Sequence, residues 1–261
     1  MSAGAQKSPG QVKTLEQNHI KHVVAVMSGK GGVGKSSVTA LLAVDLARRG
    51  YKVGVLDADI TGPSIPRLFG VTSRPSSPAE GKGLIPPQTE RGIKIMSLNL
   101  LLPDEQAPVI WRGPLISGAV QQFWTDVIWG ELDYLLVDLP PGTSDVPLTV
   151  MQSLPLAGLV IVTSPQELVN MVVAKAINMA HQMEIPILGL VENMSYLECP
   201  QCGERIQVFG PSRTRAAAAG AGLRFLGALP LDKKLASLAD EGRIEDYEQT
   251  TLQSLAEVID G

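Results

Sequence analysis

The feature that most restricts the fold of this chain is a glycine-rich octapeptide, GKGGVGKS, at residues 29–36. It has the spacing G-x-x-x-x-G-K-[ST] and stands between two patterns of different period. Residues 22–28 form an apolar run typical of a strand, and residues 38–46 repeat apolar positions along one face of a helix. The helical pattern ends at Arg48-Arg49-Gly50, with cations in the last turn and a glycine beyond them. The sequence therefore predicts a strand–loop–helix unit.

Six further β-type runs alternate with segments of helical period along the chain. With the first run, they span residues 22–28, 52–57, 92–98, 133–138, 158–163, 187–191 and 224–229. Runs of this kind are what strands buried on both faces of a parallel sheet require. The sequence therefore predicts an α/β fold, a doubly wound and mostly parallel sheet flanked by helices. We expect a single domain over residues 21–261 and a disordered tail over residues 1–20.

The composition excludes several classes of protein. With 22 basic and 26 acidic residues, the formal charge of -4 gives no global electrostatic reason to expect nucleic acid or an anionic membrane as a partner. The N-terminal segment lacks the apolar centre of a signal peptide, and no apolar run reaches the roughly 18 residues of a membrane helix. Two cysteines are too few for a disulfide-stapled secreted fold. We therefore expect a cytoplasmic protein with reduced thiols.

The glycine-rich loop is the predicted nucleotide site. Its glycines let backbone N–H groups converge on phosphate oxygens, and the helix behind it presents its N-terminus to the same anion. We expect Lys35 to reach the terminal phosphates and Ser36 to bind Mg²⁺, with Ser37 as the next hydroxyl in range. The predicted nucleotide-binding residues of the loop are Gly29, Lys30, Gly31, Gly32, Val33, Gly34, Lys35, Ser36 and Ser37.

Carboxylates end two of the predicted strands. Asp138 closes the run 133–138, where a second ligand of the magnesium ion belongs. Asp57 and Asp59 follow the run 52–57, at the edge where doubly wound sheets bind ligands. We expect one of these two to order water on the magnesium ion and the other to orient the attacking water. The alternative is that these carboxylates cap turns, in which Asp is common.

Adenine is the predicted base. A guanine site normally contains an Asn-Lys-x-Asp run, and no Asn of this chain is followed by Lys. Asn193 follows the run 187–191, and its amide has both the donor and the acceptor that the edge of adenine requires. The alternative for Asn193 is a turn residue bonded to its own backbone.

The motifs taken in order resemble a known family. Lys30, near the start of the loop, is similar to the additional lysine of the deviant P-loop ATPases related to MinD, ParA and the nitrogenase iron protein. Within that group the chain resembles the Mrp/ApbC iron-sulfur cluster carriers from about Ile20 onward. This likeness rests on LDAD with GPS at 56–64, WRGP at 111–114, VDLPPGT at 137–143, ENMS at 192–195 and CPxC at 199–202.

The resemblance implies a homodimer with two ATP molecules near its interface. Lys30 of each subunit then provides an additional positive charge to the phosphoryl group of the partner's nucleotide or of its own, beside Lys35. The alternative for Lys30 is a solvated loop lysine. Trp111 and Arg112 also match the family, and we assign them no role beyond packing and an interface contact.

Cys199 and Cys202 are the only cysteines of the chain. A tetrahedral zinc site or a 4Fe-4S cluster needs four protein ligands, and the three histidines have no spacing that pairs them with the cysteines. A two-fold axis brings two Cys pairs face to face, so we expect a 4Fe-4S cluster shared between two subunits and transferred to apo-proteins. Zinc bound by the same four sulfurs and a redox dithiol are the alternatives.

The leading hypothesis for function is an ATPase that carries an iron-sulfur cluster, with hydrolysis coupled to binding or release of the cluster. The main alternative is a MinD- or ParA-like positioning switch with a structural zinc clasp. Residues 247–261 contain no Lys or Arg for a basic membrane-binding helix, and we predict neither membrane nor nucleic acid as partner. A reductase like the nitrogenase iron protein is a third hypothesis, although that resemblance expects cluster cysteines far apart in sequence.

Overall fold

A parallel sheet organises the molecule. The structure, a computed structural model, describes residues 13–59, 64–79, 82–102, 113–143, 145–165, 169–249 and 251–259. In this part of the chain seven strands form one sheet. The strands are β1 His19–Ser28, β2 Val53–Asp57, β3 Lys94–Ser97, β4 Glu131–Asp138, β5 Gly158–Thr163, β6 Ile187–Glu192 and β9 Phe225–Ala228. Their order is β3-β2-β4-β1-β5-β6-β9, and every neighbouring pair is parallel. Each strand corresponds to one predicted run, so the predicted sheet is confirmed.

Helices cover both faces of the sheet. They are α1 Lys35–Arg48, α2 Ile65–Leu68, α3 Gly113–Thr125, α4 Asp145–Ser153, α5 Val169–Gln182, α6 Thr214–Gly220, α7 Lys233–Asp240 and α8 Leu255–Ile259. Alternate residues of β1 belong to separate cores, with Val24 and Val26 on one face and Val23, Ala25 and Met27 on the other. Both faces of this central strand are therefore apolar, as in doubly wound folds. Of the described helices, none is both long and apolar enough to span a bilayer.

Helix α1 is buried over more of its surface than the pattern on one face predicts. It contacts strands of the sheet on one side and α2 and α8 on the other, so most apolar positions between Val38 and Leu46 are shielded. Its end agrees with the prediction, because Arg48 is the last helical residue and Gly50 has a left-handed φ of 88°. Glycine adopts that conformation without the steric cost that a side chain adds.

The described chain is structured earlier than we predicted. Strand β1 begins at His19, whose N–H donates to the carbonyl of Gly130. The amide of Asn18, 8% exposed, donates to the carbonyl of Val127 and accepts from the N–H of Gly130. These bonds tie the segment to the turn before β4. A disordered tail through residue 20 is therefore wrong for residues 18–20, and residues 1–12 lie outside the described part.

The cysteines lie in the turn between the two strands of a second, smaller sheet. Strand β7, Leu197–Glu198, pairs with β8, Arg205–Ile206, in antiparallel register. We call residues 197–206 the cysteine hairpin. It lies in the chain between β6 and α6, and among the described residues it has no strand pairing with the seven-stranded sheet.

Candidate nucleotide and cysteine sites

The phosphate-binding loop connects β1 to α1 at the carboxyl edge of the sheet. Gly34 immediately precedes α1 and has φ 75°, and Gly32 has φ 79°. This left-handed conformation suits glycine, which has no Cβ to clash with the backbone. Space also requires glycine at position 34, because a Cβ there would lie 2.1 Å from Nδ2 of Asn193. The sequence motif thus has a conformational and a packing reason at the same residue.

The structure brings Lys35, Ser36 and Asp138 together behind the loop. Lys35 Nζ lies 2.8 Å from Oδ2 of Asp138, and Ser36 Oγ donates to the same oxygen at 2.5 Å. Lys35 is 5% exposed and Asp138 0%, so their ion pair compensates two buried charges. Thr39 Oγ1 donates to Oδ1 of Asp138 at 2.7 Å. Thr39 is absent from the site predicted from the sequence, although its position one helical turn after Lys35 is a usable signal.

Asp57 and Asp59 have different surroundings. Asp57 is 1% exposed, lies beside Asp138 in the register of β2 and β4, and accepts from the N–H of Asp59 and from Ser97 Oγ. Burial, followed by the charge of Asp138, raises the pKa of Asp57 well above its usual range. A carboxylate oxygen of Asp59 lies 3.9 Å from Lys35 Nζ. Asp59 is thus placed beside Lys35, the predicted phosphate-binding lysine, whereas Asp57 holds the chain that follows β2.

A cavity of about 260 Å³ opens over the loop. Its walls include residues 31–37, Asp59 and Pro141. A larger cavity of about 470 Å³ lies where residues 69–73 meet residues 241–246, and none of the predicted site residues lines it. The smaller cavity is the better candidate for a nucleotide, because the loop backbone, a lysine and a carboxylate converge on it.

Lys30 is not part of the buried charge cluster. It is partly exposed, and its backbone carbonyl accepts a hydrogen bond from Ser28 Oγ at 2.9 Å. Among the described residues, the ion pairs to Asp59 and Asp138 come from Lys35. A lysine outside this cluster is compatible with the predicted action on a nucleotide of either subunit.

Asn193 follows β6 and lies beneath the phosphate-binding loop. Its side chain is buried, and Nδ2 donates to the carbonyl of Val33 at 2.9 Å. The amide that we predicted to bind adenine thus contacts the backbone of the loop, and its contact with the base stays a prediction. This bond joins residues 160 positions apart, so Asn193 is more than a turn residue bonded to its own neighbours.

The cysteines occupy the turn of the cysteine hairpin. The N–H of Cys199 donates to the carbonyl of Glu204 at 2.9 Å, and the N–H of Gly203 donates to the carbonyl of Cys199 at 2.8 Å. The backbone N–H of Gln201, then the backbone and thiol of Cys202, hydrogen-bond the sulfur of Cys199 and lower its pKa. Cys202 is exposed and Cys199 partly so. A thiolate favoured in this way at the surface suits a metal ligand.

The described part of the chain contributes two thiols at this hairpin. Among the residues that the structure describes, no group of three or more His, Cys, Asp or Glu side chains is placed to hold a metal ion. A four-coordinate site needs two ligands besides these two thiols. Trp111 and Arg112, the family residues without an assigned role, lie outside the described part of the chain.

Together the fold and the loop define a P-loop NTPase. A parallel sheet carries the motif between its central strand and the next helix, with a lysine, a hydroxyl and an aspartate gathered behind it. The solved structure of the cell division ATPase MinD from Pyrococcus furiosus has the same fold. Its TM-score is 0.60 at 20% identity, and the match covers 92% of this chain and 97% of that one.

The chain belongs to the family described as ParA: NUBPL iron-transfer P-loop NTPase, which matches residues 19–260. The iron-sulfur cluster carrier protein of Clostridium perfringens is 50% identical over 235 residues, or 88% of this chain and 82% of that protein. A nucleotide-binding protein from Archaeoglobus fulgidus, solved in complex with ADP, has a TM-score of 0.80 and 52% identity. That match covers 88% of this chain and 90% of the other. The predicted family resemblance is confirmed.

Proposed function

We propose that this chain is an ATP-binding and ATP-hydrolysing iron-sulfur cluster carrier. It holds a 4Fe-4S cluster between the cysteine pairs of a homodimer and transfers the cluster to apo-proteins. The observation that carries the proposal is the pair of a partly exposed Cys199 and an exposed Cys202 at the turn of a hairpin on a P-loop NTPase. Two thiolates are half of the ligand set of such a cluster. The name of the Clostridium perfringens relative, iron-sulfur cluster carrier protein, supports the same cargo.

The nucleotide site supports ATP hydrolysis with Mg²⁺. Ser36 and Asp138 offer the hard oxygen ligands that Mg²⁺ prefers, and Lys35 places a cation next to them. Asp59 lines the same cavity and orients the attacking water in this proposal. Lys30, from the same subunit or its partner, adds charge during phosphoryl transfer. The ADP bound by the Archaeoglobus fulgidus relative supports nucleotide binding here.

The surface around the cysteines supports a homodimer. Leu197 and Ile206 are cross-strand neighbours in the cysteine hairpin, and Val208 and Phe209 follow it. They are four of the seven large apolar side chains that are exposed in the described part of the chain. A two-fold contact through this surface would bury apolar area and bring four thiolates together.

A carrier of this kind needs reduced thiols, so we propose a cytoplasmic location. Zinc bound by the same four sulfurs is the competing chemistry, because a tetrahedral set of cysteines accepts either cargo. In that case the pair would be a structural clasp in a nucleotide switch, and the chain would carry no cluster.

Anaerobic reconstitution with iron and sulfide tests the proposal. We expect about two irons and two sulfides per monomer, because one four-iron cluster is shared by two chains. The measurements are iron, sulfide and zinc per monomer, with the visible absorption spectrum. Cys199→Ala should lose iron and sulfide together while it still binds ADP.

Gln201→Ala is the matched control for this experiment. Gln201 lies between the two cysteines, is exposed, and contributes its backbone N–H, which the substitution keeps. It should therefore reconstitute like the unaltered protein. About half a zinc per monomer without sulfide, or iron binding that survives Cys199→Ala, would refute the cluster function.

A further inference from the structure

Four consecutive residues join the phosphate-binding loop to the cysteine hairpin. We call Glu192, Asn193, Met194 and Ser195 the 192–195 link. It leaves the end of β6, and the first strand of the hairpin begins two residues after it, at Leu197. Three of its four side chains are buried, and Met194 is partly buried. The shortest path along the chain from the nucleotide site to the cysteines therefore runs through packed residues.

At its first end the link is fixed to the phosphate-binding loop. Asn193 Nδ2 donates to the carbonyl of Val33 at 2.9 Å. The same nitrogen would lie 2.1 Å from a Cβ on Gly34, and Met194 Cε would lie 3.6 Å from it. The loop backbone thus rests directly on these two side chains. A change in the loop at this point must displace them or break the bond to Val33.

A buried carboxylate ties the first residue of the link, Glu192, to its last, Ser195. Glu192 is 0% exposed and accepts hydrogen bonds from three hydroxyls, those of Ser195, Ser212 and Thr214. Ser195 is the hydroxyl that bonds Oε1, whereas Ser212 and Thr214 bond Oε2. A buried carboxylate needs such donors, because leaving its oxygens unpaired is unfavourable. The carboxylate therefore fixes Ser195 relative to the end of β6.

Backbone hydrogen bonds of Ser195 and Tyr196 hold the chain between the link and the hairpin. The N–H of Ser195 donates to the carbonyl of Leu229 at 2.9 Å, and the carbonyl of Tyr196 accepts from the N–H of Leu231 at 2.7 Å. The guanidinium of Arg205, on the second hairpin strand, lies 4.4 Å from the centre of the Tyr196 ring. The base of the hairpin is thus held by the residue that directly follows the link.

The conformation of Met194 makes the link a tight one. Met194 has a left-handed φ of 56°, an uncommon conformation for a residue with a side chain. Such conformations persist where the surrounding structure fixes them, and here the bonds of Asn193 and Ser195 flank the residue on both sides. A flexible backbone at Met194 would let the phosphate-binding loop move without moving the cysteine hairpin.

We infer that the 192–195 link couples nucleotide occupancy of the phosphate-binding loop to the position of the cysteine hairpin. Ser195 and Met194 are then positioning residues of the cysteine site, although neither contacts metal or nucleotide in this scheme. The inference rests on the proposed nucleotide binding, and it deepens that function by naming its regulation. By linkage, the state of the cysteines must also change the affinity for nucleotide by the same factor.

Alkylation of the two cysteines in cluster-free protein tests the coupling without any metal. The rate with iodoacetamide is measured alone, with saturating Mg-ADP and with saturating Mg-AMP-PNP. We expect at least one nucleotide to change the rate about fivefold, the lower end of typical coupling between sites. In Ser195→Ala and Met194→Gly the change should fall below about twofold. Ser195 is bonded to Glu192 and Leu229 rather than to the loop, so the ADP affinity of Ser195→Ala should stay within about threefold of the unaltered protein.

Two variants serve as controls. Asn18→Ala removes another buried amide that donates to a distant carbonyl, at the opposite edge of the sheet, and it should keep the full response to nucleotide. Ser195→Thr keeps the hydroxyl that Ser195→Ala removes, so its alkylation rate should still respond to nucleotide. Met194→Gly retains every hydrogen bond of the link, so it remains informative if Ser195→Ala fails to fold.

The results separate this inference from the proposed function. Identical alkylation rates with and without nucleotide, or a full response in both Ser195→Ala and Met194→Gly, would overturn the coupling. A response that disappears in those two variants supports it, whatever the reconstitution shows. Absence of iron and sulfide from the reconstituted protein would instead refute the cluster cargo and leave the coupling as measured.

Discussion

The phosphate-binding loop and the cysteine hairpin are built in opposite ways. Lys35 and Asp138 are 5% and 0% exposed, and several strands and a helix of the main core surround them. The hairpin has two short strands, an exposed Cys202 and exposed apolar side chains. Behind the loop, Lys35 forms ion pairs with Asp138 and Asp59 of the same chain, whereas the hairpin contributes two thiols. The first region is completed by contacts within the chain, and in our proposal the second is completed by another subunit.

The largest expected effect comes from removing the buried cation. Lys35→Met leaves Asp138 without its ion pair and should destabilise the nucleotide-free protein by about 3–5 kcal/mol, as for other broken buried pairs. Lys30→Met should change stability by no more than about 0.5 kcal/mol, because Lys30 is outside the cluster. Both should lower ATP hydrolysis, by about 10²–10³ for one lost transition-state charge. Urea unfolding and phosphate release measure the two quantities; equal stability of the two variants would contradict the comparison.

A second test uses a left-handed glycine from each region. Gly34→Ala should lower the free energy of unfolding by more than about 2 kcal/mol, because overlap with Asn193 adds to the backbone strain. It should also remove most of the affinity for ADP. Gly203 in the hairpin turn has φ 73° with no atom within 4 Å of an added Cβ. Gly203→Ala should therefore lower the free energy of unfolding by only about 1–2 kcal/mol, the effect of the backbone strain alone. Thermal unfolding and calorimetry of ADP binding would distinguish them, and a stable Gly34→Ala that binds ADP would show that the loop can relax.

A third test concerns the apolar surface of the hairpin. Ile206 is 46% exposed, so burying it on both sides of a two-fold contact contributes roughly 1 kcal/mol per chain. Ile206→Ser should weaken the cluster-loaded dimer by about 2 kcal/mol, or roughly 30-fold in Kd. Ile85→Ser is the matched control, because Ile85 is 38% exposed and lies outside the hairpin. Sedimentation measures both, and equal dissociation constants for the two variants would exclude the hairpin from the interface.

The smallest effect is the pH dependence of Cys199. Hydrogen bonds from Gln201 and Cys202 stabilise its thiolate and lower its pKa, so alkylation should persist to lower pH than for an ordinary thiol. These hydrogen bonds therefore add to the free energy of unfolding at pH values above the ordinary thiol pKa. Their contribution is lost as the pH falls through the lowered pKa of Cys199. Alkylation of Cys199 from pH 5 to pH 9, followed by mass spectrometry, measures the midpoint. The same midpoint in urea-unfolded protein would exclude a role for the hairpin turn.

The sequence predicts those parts of the molecule whose chemistry is local. The loop motif is eight contiguous residues, and each strand of the main sheet is a contiguous apolar run. Contacts between distant residues are different, because a single sequence contains no distances. Thr39 reaches Asp138 across 99 positions, and Asn193 reaches Val33 across 160. The start of β1 was missed for the same reason, since it depends on bonds to the turn before β4.

The cysteine hairpin also shows a limit of pattern reading. Strands of two residues each are too short for any periodicity, so no pattern indicates β7 and β8. The spacing of Cys199 and Cys202 predicts a turn with two thiols, but the N–H groups around Cys199 emerge only from the fold. Spacing identifies which side chains are available, and tertiary structure sets how reactive they are.

The separation of the hairpin from the seven-stranded sheet makes it a module. In the described residues the sheet is closed between β6 and β9 without any strand of the hairpin. Exchange of residues 197–206 for a plain turn would remove both thiols and leave the nucleotide-binding core its seven described strands. Variation of the hairpin would therefore change this surface without rebuilding the sheet that holds the phosphate-binding loop.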